Sequence, residues 1–327
     1  MVMANQDRLS CGSGWIISPI FDLLFFANVY WVLAFLPLYT SSEGEPYIQF
    51  WMAYFLATPH RWLTLFVAVT DRDRRQGQTW LFLSIGILIA ALIGVAVWIS
   101  GDFRSLSLLY TLVLGWHFAG QHQLVWNIYS GQASTPNRWF EQILPMLFIM
   151  YTNVRLVSFV EPMLRIESVN VVRWADTVML FVPGTLLASN LSGISRERLP
   201  RLLYISSVLG LWSSVLWTTR EHQDSLCSII LGAVTVFHSV EYLALVSFYA
   251  RRRQEIGSRG LFREMACHWG AVLGWFVIVS GMLYTLGNVF FSTACFAVNI
   301  WASFVHCAYD GIMWRVRDPA TAKILGV

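Results

Sequence analysis

The sequence predicts an all-α integral membrane protein, a polytopic bundle of about ten transmembrane helices with N- and C-termini both cytoplasmic. Three observations predict it: an apolar composition, apolar segments of about 20 residues that recur along the chain, and basic residues that alternate between the intervening loops. Of the 327 residues 56% are hydrophobic, 15% aromatic and 13% charged, and the mean hydropathy is +0.56. Soluble chains carry nearer one quarter charged residues, whereas a run of about 20 apolar residues is what an α-helix needs to cross a bilayer.

Taken in order, Met1–Gly14 is polar and too short for a signal peptide with an apolar core. The span 15–39 follows and holds "FDLLFF"; the span 47–70 holds "ATPHRWLTLF". The span 79–100 has no charged group and runs out in "GVAVWISG", whose glycines suit close helix packing. Next come 106–130 with "GWHFAGQHQLVWNIYS", 139–160 with Arg155, and the two shortest spans, 177–194 and 202–219. The last three are 226–250 with "FHSVEYLALV", 264–287, which begins at Glu264 and His268, and 290–314 with "FVHCAYDGIMW". No repeat, low-complexity tract or soluble domain interrupts them, so residues 1–327 form a single transmembrane domain.

Basic residues concentrate on cytoplasmic loops. With the N-terminus inside, the inner segments hold Arg8, then Arg72, Arg74 and Arg75, then Arg138, then Arg196, Arg198 and Arg201. They continue with Arg251, Arg252, Arg253, Arg259 and Arg263, and end with Arg315, Arg317 and Lys323. The outer segments hold only Arg104, Arg165, Arg173 and Arg220. Arg61 and Arg155 remain, inside spans. The net charge of +3 therefore reports topology and excludes no more than it implies: contact of the basic loops with anionic membrane lipid, and no nucleic-acid partner. The five cysteines form no CxxC and no zinc-ribbon spacing, and read as small buried hydrophobes. The sixteen tryptophans are mostly an interfacial belt.

The histidines are more informative. Six of the seven, His60, His117, His122, His238, His268 and His306, fall inside spans, and only His222 lies in an outer loop. Counting from the end of each span, five of the six, with Asp22, Glu241 and Asp310, fall between the membrane middle and its inner face, and His117 falls at the midplane. Residues three or four apart share a helix face, which pairs His306 with Asp310, His238 with Glu241, Glu264 with His268 and His117 with Gln121. His122 points about 140° away from His117, so one of those two sits behind the other or the helix is distorted.

An ionisable group within a span costs several kcal/mol unless paired or bound. A single membrane histidine serves commonly as interhelical glue. Six at similar depth, with three carboxylates, are compensated together by one metal cluster. His60, His117, His122, His238, Glu241, His268, His306, Asp310 and Asp22 are accordingly the predicted metal ligands, with Arg61 and Gln121 beside them. Imidazole with carboxylate suits non-haem iron ahead of zinc, manganese or copper, and facing helices of a bundle can build a two-iron site. Arg61 either pairs with Asp22 or Glu141 or meets an anionic species at the site.

The stretches "FDLLFF", "ATPHRWLTLF", "GWHFAGQHQLVWNIYS", "FHSVEYLALV" and "HCAYDGIMWRVRDP" occur in this order and cover most of the chain. Together they resemble histidine-rich bacterial multi-pass membrane proteins and, more distantly, the bacteriorhodopsin-related β-carotene dioxygenase family of non-haem iron enzymes. The resemblance implies an oxygen-using metal enzyme in the bacterial inner (cytoplasmic) membrane, with His60, His238 with Glu241, and His306 with Asp310 at its centre. Neither an HxxxH pair nor a desaturase-type HxxHH box is present, so what the resemblance carries is the metal chemistry and not carotenoid cleavage.

The expected function is a membrane-embedded oxidase or oxygenase with two irons. It would use O2 and an electron donor on a hydrophobic or amphiphilic substrate: a lipid, a carotenoid, or a pathway intermediate such as an amine or hydrazine. A reading from another class, a proton-coupled or metal-ion transporter, accounts for intramembrane His, Asp and Glu chains equally. It is weakened by the cluster's confinement to the inner half and by the lack of paired broken helices or an inverted repeat.

Overall fold

The computed structural model describes residues 14–38, 51–72, 77–130, 139–160, 170–191, 198–256, 261–315 and 319–325. Among these every element is helical. Arg8, Cys11, Arg74, Arg75, Arg138, Arg165, Arg196, Arg259 and Arg317 lie outside the described residues, as do the side chains of Arg104 and Glu141. In chain order the α-helices are α1 (Pro19–Phe21), α2 (Thr58–Thr70), α3 (Thr79–Ser100), α4 (Arg104–Ser130), α5 (Trp139–Val160) and α6 (Asn170–Leu191). They continue with α7 (Leu199–Arg220), α8 (Asp224–Ile256), α9 (Leu261–Cys267), α10 (Trp269–Phe290), α11 (Ser292–Met313) and α12 (Pro319–Leu325).

Five of these helices are long and apolar enough to cross a membrane: α3, α6 from Val171, α7, α8 and α10. Helix α8, at 33 residues, rises about 50 Å, well beyond a hydrocarbon core of about 30 Å. The protein is thus an all-helical membrane-type bundle. Helices α4, α5 and α11 cover the stretches predicted as spans at 106–130, 139–160 and 290–314, but they are not among these five.

Two expectations are corrected. Residues 15–39 are not one helix. The α1 turn opens at a Ser18 N-cap, passes into a π turn (Asp22–Phe26), breaks at Asn28 and resumes as a 3₁₀ segment (Val29–Leu38). Asn28 adopts a left-handed φ of 43°, a conformation asparagine tolerates. Its amide nitrogen donates to the carbonyls of Phe25, Phe26 and Phe237, and Tyr30 Oη donates to its Oδ1. The Asn28 side chain therefore bridges the break. The predicted span 264–287 is likewise divided. His268 N–H donates to the Met265 carbonyl in a closing turn, while the His268 carbonyl accepts from Ala271 and Val272 and starts α10.

The core lies where α7 and α8 cross beneath α4, with Tyr204, Trp212, Tyr242 and Tyr249 fully buried. Helices α3 and α10 lie at the rim and expose Trp80, Ile87 and Trp98 on one and Trp275 and Leu283 on the other. A helix apolar on all sides yet exposed in the isolated chain is the expected form of a lipid-facing span.

Buried charges join helices in pairs. Arg155 on α5 donates from Nε (2.8 Å) and from its η2 nitrogen (3.1 Å) to Asp176 on α6, whose Oδ1 also accepts from Tyr151 Oη at 2.6 Å. Arg253 near the end of α8 meets Asp71, which follows α2, at 3.1 Å, and Tyr249 donates to the same carboxylate. Such bidentate or multiply bonded pairs satisfy charges that would otherwise be prohibitive at depth.

A glycine permits one close helix approach. At Gly281 on α10 an added Cβ would stand 2.7 Å from a Phe55 ring carbon and 2.9 Å from the Tyr54 carbonyl oxygen. The backbone oxygen cannot swing aside, so Gly281→Ala is expected to lower stability by about 1–3 kcal/mol. Gly94→Ala, with nothing within 4 Å, should stay within about 0.5 kcal/mol of the parent. Thermal unfolding of the detergent-solubilised variants compares the two.

Candidate metal centre

Four helices bring one histidine each to a common interior point. His60 stands near the start of α2, directly after a π turn (Ala53–Ala57) in which Thr58 N–H bonds the carbonyl of Ala53, five residues back. Pro59 explains that turn: it has no N–H and its ring would meet the carbonyl of residue 55 in a regular helix, so the turn widens. His117 comes from α4, His238 from α8 and His306 from α11. All four are buried.

The rings stand edge to face. Centroids are 4.9 Å apart for His60 and His306, 5.1 Å for His60 and His238, 4.9 Å for His117 and His238, and 4.5 Å for His117 and His306. His117 Nε2 and His238 Nε2 are 3.2 Å apart. Two imidazole nitrogens bound to one ion at about 2.0–2.1 Å stand roughly 3.3 Å from each other in a tetrahedral arrangement. Two overlapping sets, His60, His238 and His306, and His117, His306 and Asp310, each bring three ligand atoms within 4.8 Å of one another.

The hydrogen bonds behind the rings decide which nitrogens face inward. His60 Nδ1 lies 3.3 Å from the Leu56 carbonyl, which can only accept, so Nδ1 carries the proton and Nε2 is bare. His306 Nδ1 lies 2.6 Å from Thr64 Oγ1, and Thr64 Oγ1 donates to Asp310 Oδ1 at 3.1 Å. With its proton on the carboxylate, Thr64 would accept from His306 Nδ1–H and leave His306 Nε2 bare; Tyr242 Oη lies 2.5 Å from the same Thr64 oxygen. His306 Nε2 is buried and has no hydrogen-bond partner, and the same holds for His238 Nδ1. Asp310 Oδ1 accepts also from Tyr242 Oη at 3.0 Å and Trp314 Nε1 at 3.1 Å. Its Oδ2 stands 3.9 Å from His117 Nε2 and 3.7 Å from His306 Nδ1. Backbone carbonyls, hydroxyls and carboxylates that hold the outer ring nitrogen are the usual supports of a metal-bound imidazole.

The chain matches no family model, no curated protein and no solved structure. The site is therefore read from its own geometry.

The other sequence-predicted residues lie elsewhere. His122 and Glu241 form a separate buried cluster behind the four imidazoles. Glu241 accepts from Gln121 Nε2 at 2.6 Å, from Tyr204 Oη at 2.6 Å and from His122 Nδ1 at 3.1–3.2 Å. Asp22 is buried but serves the backbone: it accepts from the N–H groups of Ile16, Ile17 and Ser18, and from Tyr129 Oη at 3.1 Å. Its carboxylate is thereby taken, so it does not pair with Arg61. Arg61 is half-buried, with His60, His306 and Cys307 inside the range of its charge. His268 is exposed at the α9–α10 break, and Glu264 is exposed on α9, so the expected shared face between them does not form. His222 is exposed in the turn after α7.

Sequence reasoning missed Thr64, Tyr242, Tyr204 and Trp314. Two carried a signal: Thr64 follows His60 by four residues and Tyr242 follows His238 by four, the spacing that puts side chains on one face. A cleft of about 140 Å³ reaches the centre from outside, with His117, Gln121, Tyr242 and Asp310 at its inner end.

Thr64→Val keeps the shape but strips partners from His306, Asp310 and Tyr242. It is expected to cost about 1–3 kcal/mol of stability, while His268→Ala on the exposed break should stay within about 0.5 kcal/mol. Chemical denaturation in detergent measures both.

Proposed function

We propose that the protein is a membrane-embedded non-haem iron oxidoreductase, an oxidase or oxygenase that uses O2 on a hydrophobic or amphiphilic substrate. The proposal includes ten spans with both termini cytoplasmic. The observation that carries it is the convergence of four buried imidazoles, two of them within 4 Å of the Asp310 carboxylate, with the outer nitrogens of His60 and His306 already hydrogen-bonded. Two histidines with one carboxylate, the make-up of the set His117, His306 and Asp310, are the donor types that suit non-haem iron(II) with open positions.

The residues fit two ions. His60, His238 and His306 would hold one, and His117 with Asp310 would supply two donors to the other, since His306 belongs to both sets. Bound iron supplies the binding and activation of O2, which no side chain provides. The chain's own part is to fix the ligands and to keep the pocket dry. Thr64 and Leu56 hold the rings of His306 and His60 in one tautomer, and Tyr242 and Trp314 orient the Asp310 carboxylate. The Phe118 ring, 4.4 Å from that of His238, covers the side toward α7. Electrons come from a donor on the cytoplasmic side, where the basic loops lie.

Iron content of protein purified in mild detergent tests the reading, with about two irons per chain expected. His306→Ala should lose most of the metal. Asp310→Asn should weaken metal affinity by about 10- to 100-fold if the carboxylate orients ligands and by more if it is itself a ligand. His222→Asn, which keeps a residue tolerant of the left-handed φ of 54° there, should leave the metal content unchanged. Full metal loading in folded His306→Ala, or no tightly bound metal in the parent, overturns the proposal and favours a transporter.

Topology has its own check. In a cysteine-free background, Ser258→Cys should be protected from a membrane-impermeant thiol reagent in intact cells, and Arg165→Cys should react. The reverse pattern inverts the orientation and puts the cleft's basic end outside.

A further inference from the structure

The cleft that reaches the four histidines lies between α4 and α11, with α8 as its floor. Its outer rim is formed by Trp116 and Gly120 on α4, by Gly311 on α11, and by Arg315 just beyond α11. Gly120 and Gly311 are both exposed, and an added Cβ at either would meet nothing within 4 Å. No side chain at either position closes the gap between the helices. Trp116 is 60% exposed on the same rim. The opening is therefore lateral, through the side of the bundle.

At the inner end stands an acceptor that the protein leaves open. Gln121 is 6% exposed. Its Nε2 donates to the His238 carbonyl at 3.1 Å and to Glu241 Oε2 at 2.6 Å. Both partners can only accept, so the amide cannot be flipped. Its Oε1 is then fixed in orientation, buried, and without a hydrogen-bond partner. A buried acceptor of this kind favours a ligand that brings a donor and penalises one that does not. Arg315, whose Nε donates to the Gly311 carbonyl at 3.0 Å, holds a fixed cation at the mouth and disfavours an ammonium group. The enclosed volume, about 140 Å³, is below the roughly 300–1,000 Å³ of small-ligand pockets, so it takes the polar end and first carbons of one alkyl chain, with the rest of the chain in the lateral opening, and no two-chain lipid.

We propose that this cleft is a lateral port through which a single-chain amphiphile reaches the centre from the lipid side, and that Gln121 Oε1 accepts a hydrogen bond from a hydroxyl group at the amphiphile's polar end. The inference rests on the reading of α4 and α11 as membrane spans beside a metal centre, and it names the substrate class of that centre. It makes Gln121 a specificity-determining residue and leaves the ligand set untouched.

Photolabelling tests it without any turnover. A decanol carrying a diazirine on its chain, and the methyl ether of the same compound, are irradiated with the full-length protein in lipid nanodiscs, and the labelled peptides are mapped by mass spectrometry. The alcohol is expected to label residues 115–124 and 307–315, and the ether to label them about tenfold less. Gly120→Leu combined with Gly311→Leu fills open space and should abolish that labelling with iron content unchanged. In Gln121→Met the alcohol and the ether should label alike. Equal labelling by the two probes in the parent protein, or labelling that persists in the double leucine variant, overturns the port. Iron measured on the same preparations reports separately on the metal centre, so the two readings fail independently.

Discussion

The hydrogen-bond chain from His306 through Thr64 to Asp310 constrains more of this structure than any other contact. It ties α11 to α2, and Tyr242 brings α8 into the same group by donating to Asp310 Oδ1 while lying 2.5 Å from Thr64 Oγ1. One hydroxyl proton sets the direction of the whole chain: because Thr64 gives it to the carboxylate, the imidazole behind must supply the next, and its far nitrogen is left bare. Buried networks of this kind stabilise when complete and penalise heavily when one member is missing. The tautomer of His306 and the packing of three helices therefore stand or fall together.

Helical geometry explains why neighbouring polar residues part company. On α8, Glu241 lies about 60° to one side of His238 and Tyr242 about 40° to the other. Tyr242 turns toward α2 and α11 and joins the Asp310 network, whereas Glu241 turns toward α4 and α7 and takes Gln121, His122 and Tyr204. On α4 the same rule sends His117 to the other three imidazoles and His122 to Glu241. The polar interior is in this way divided into two compartments, one converging on bare nitrogens and one closed on itself. Gln121 touches both, since it donates to Glu241 and to the His238 carbonyl.

Much of this was legible in the sequence. The apolar segments and the pairing of His306 with Asp310 follow from composition and period, and His60, His117 and His238 stand out as ionisable residues at one depth. Depth alone, however, does not say which side of a helix meets which neighbour. Asp22 sits at the right depth, yet the chain folds back upon it at Ile16–Ser18, a local turn that no hydropathy pattern reports. His268 was read on a continuous helix, but the chain turns at that residue and leaves it exposed. Thr64 and Tyr242 were overlooked because a hydroxyl within an apolar stretch looks neutral until a carboxylate is found opposite it. The Arg155–Asp176 pair was hidden by a boundary at residue 177 that left the aspartate outside its span.

The distribution of satisfied and unsatisfied groups carries the remaining step. Asp22, Asp176, Glu241 and the Oδ1 atom of Asp310 each accept two or more hydrogen bonds, and the outer nitrogens of His60 and His306 are engaged. Within the same interior, His306 Nε2, His238 Nδ1 and Gln121 Oε1 are buried and open. An unpaired buried polar atom costs roughly 1–3 kcal/mol; Trp212 Nε1 and Asn299 Oδ1 carry that cost as well, but the centre gathers several such atoms around the histidines, with hydroxyls close by. Ser239 shows it: its hydroxyl lies 3.1 Å from His60 Nδ1, the nitrogen already facing the Leu56 carbonyl, and so reinforces the outer side of the ring. Acceptors accumulate behind the imidazoles, and donors are withheld in front of them. That one-sidedness is what the proposed ion would require of its ligands.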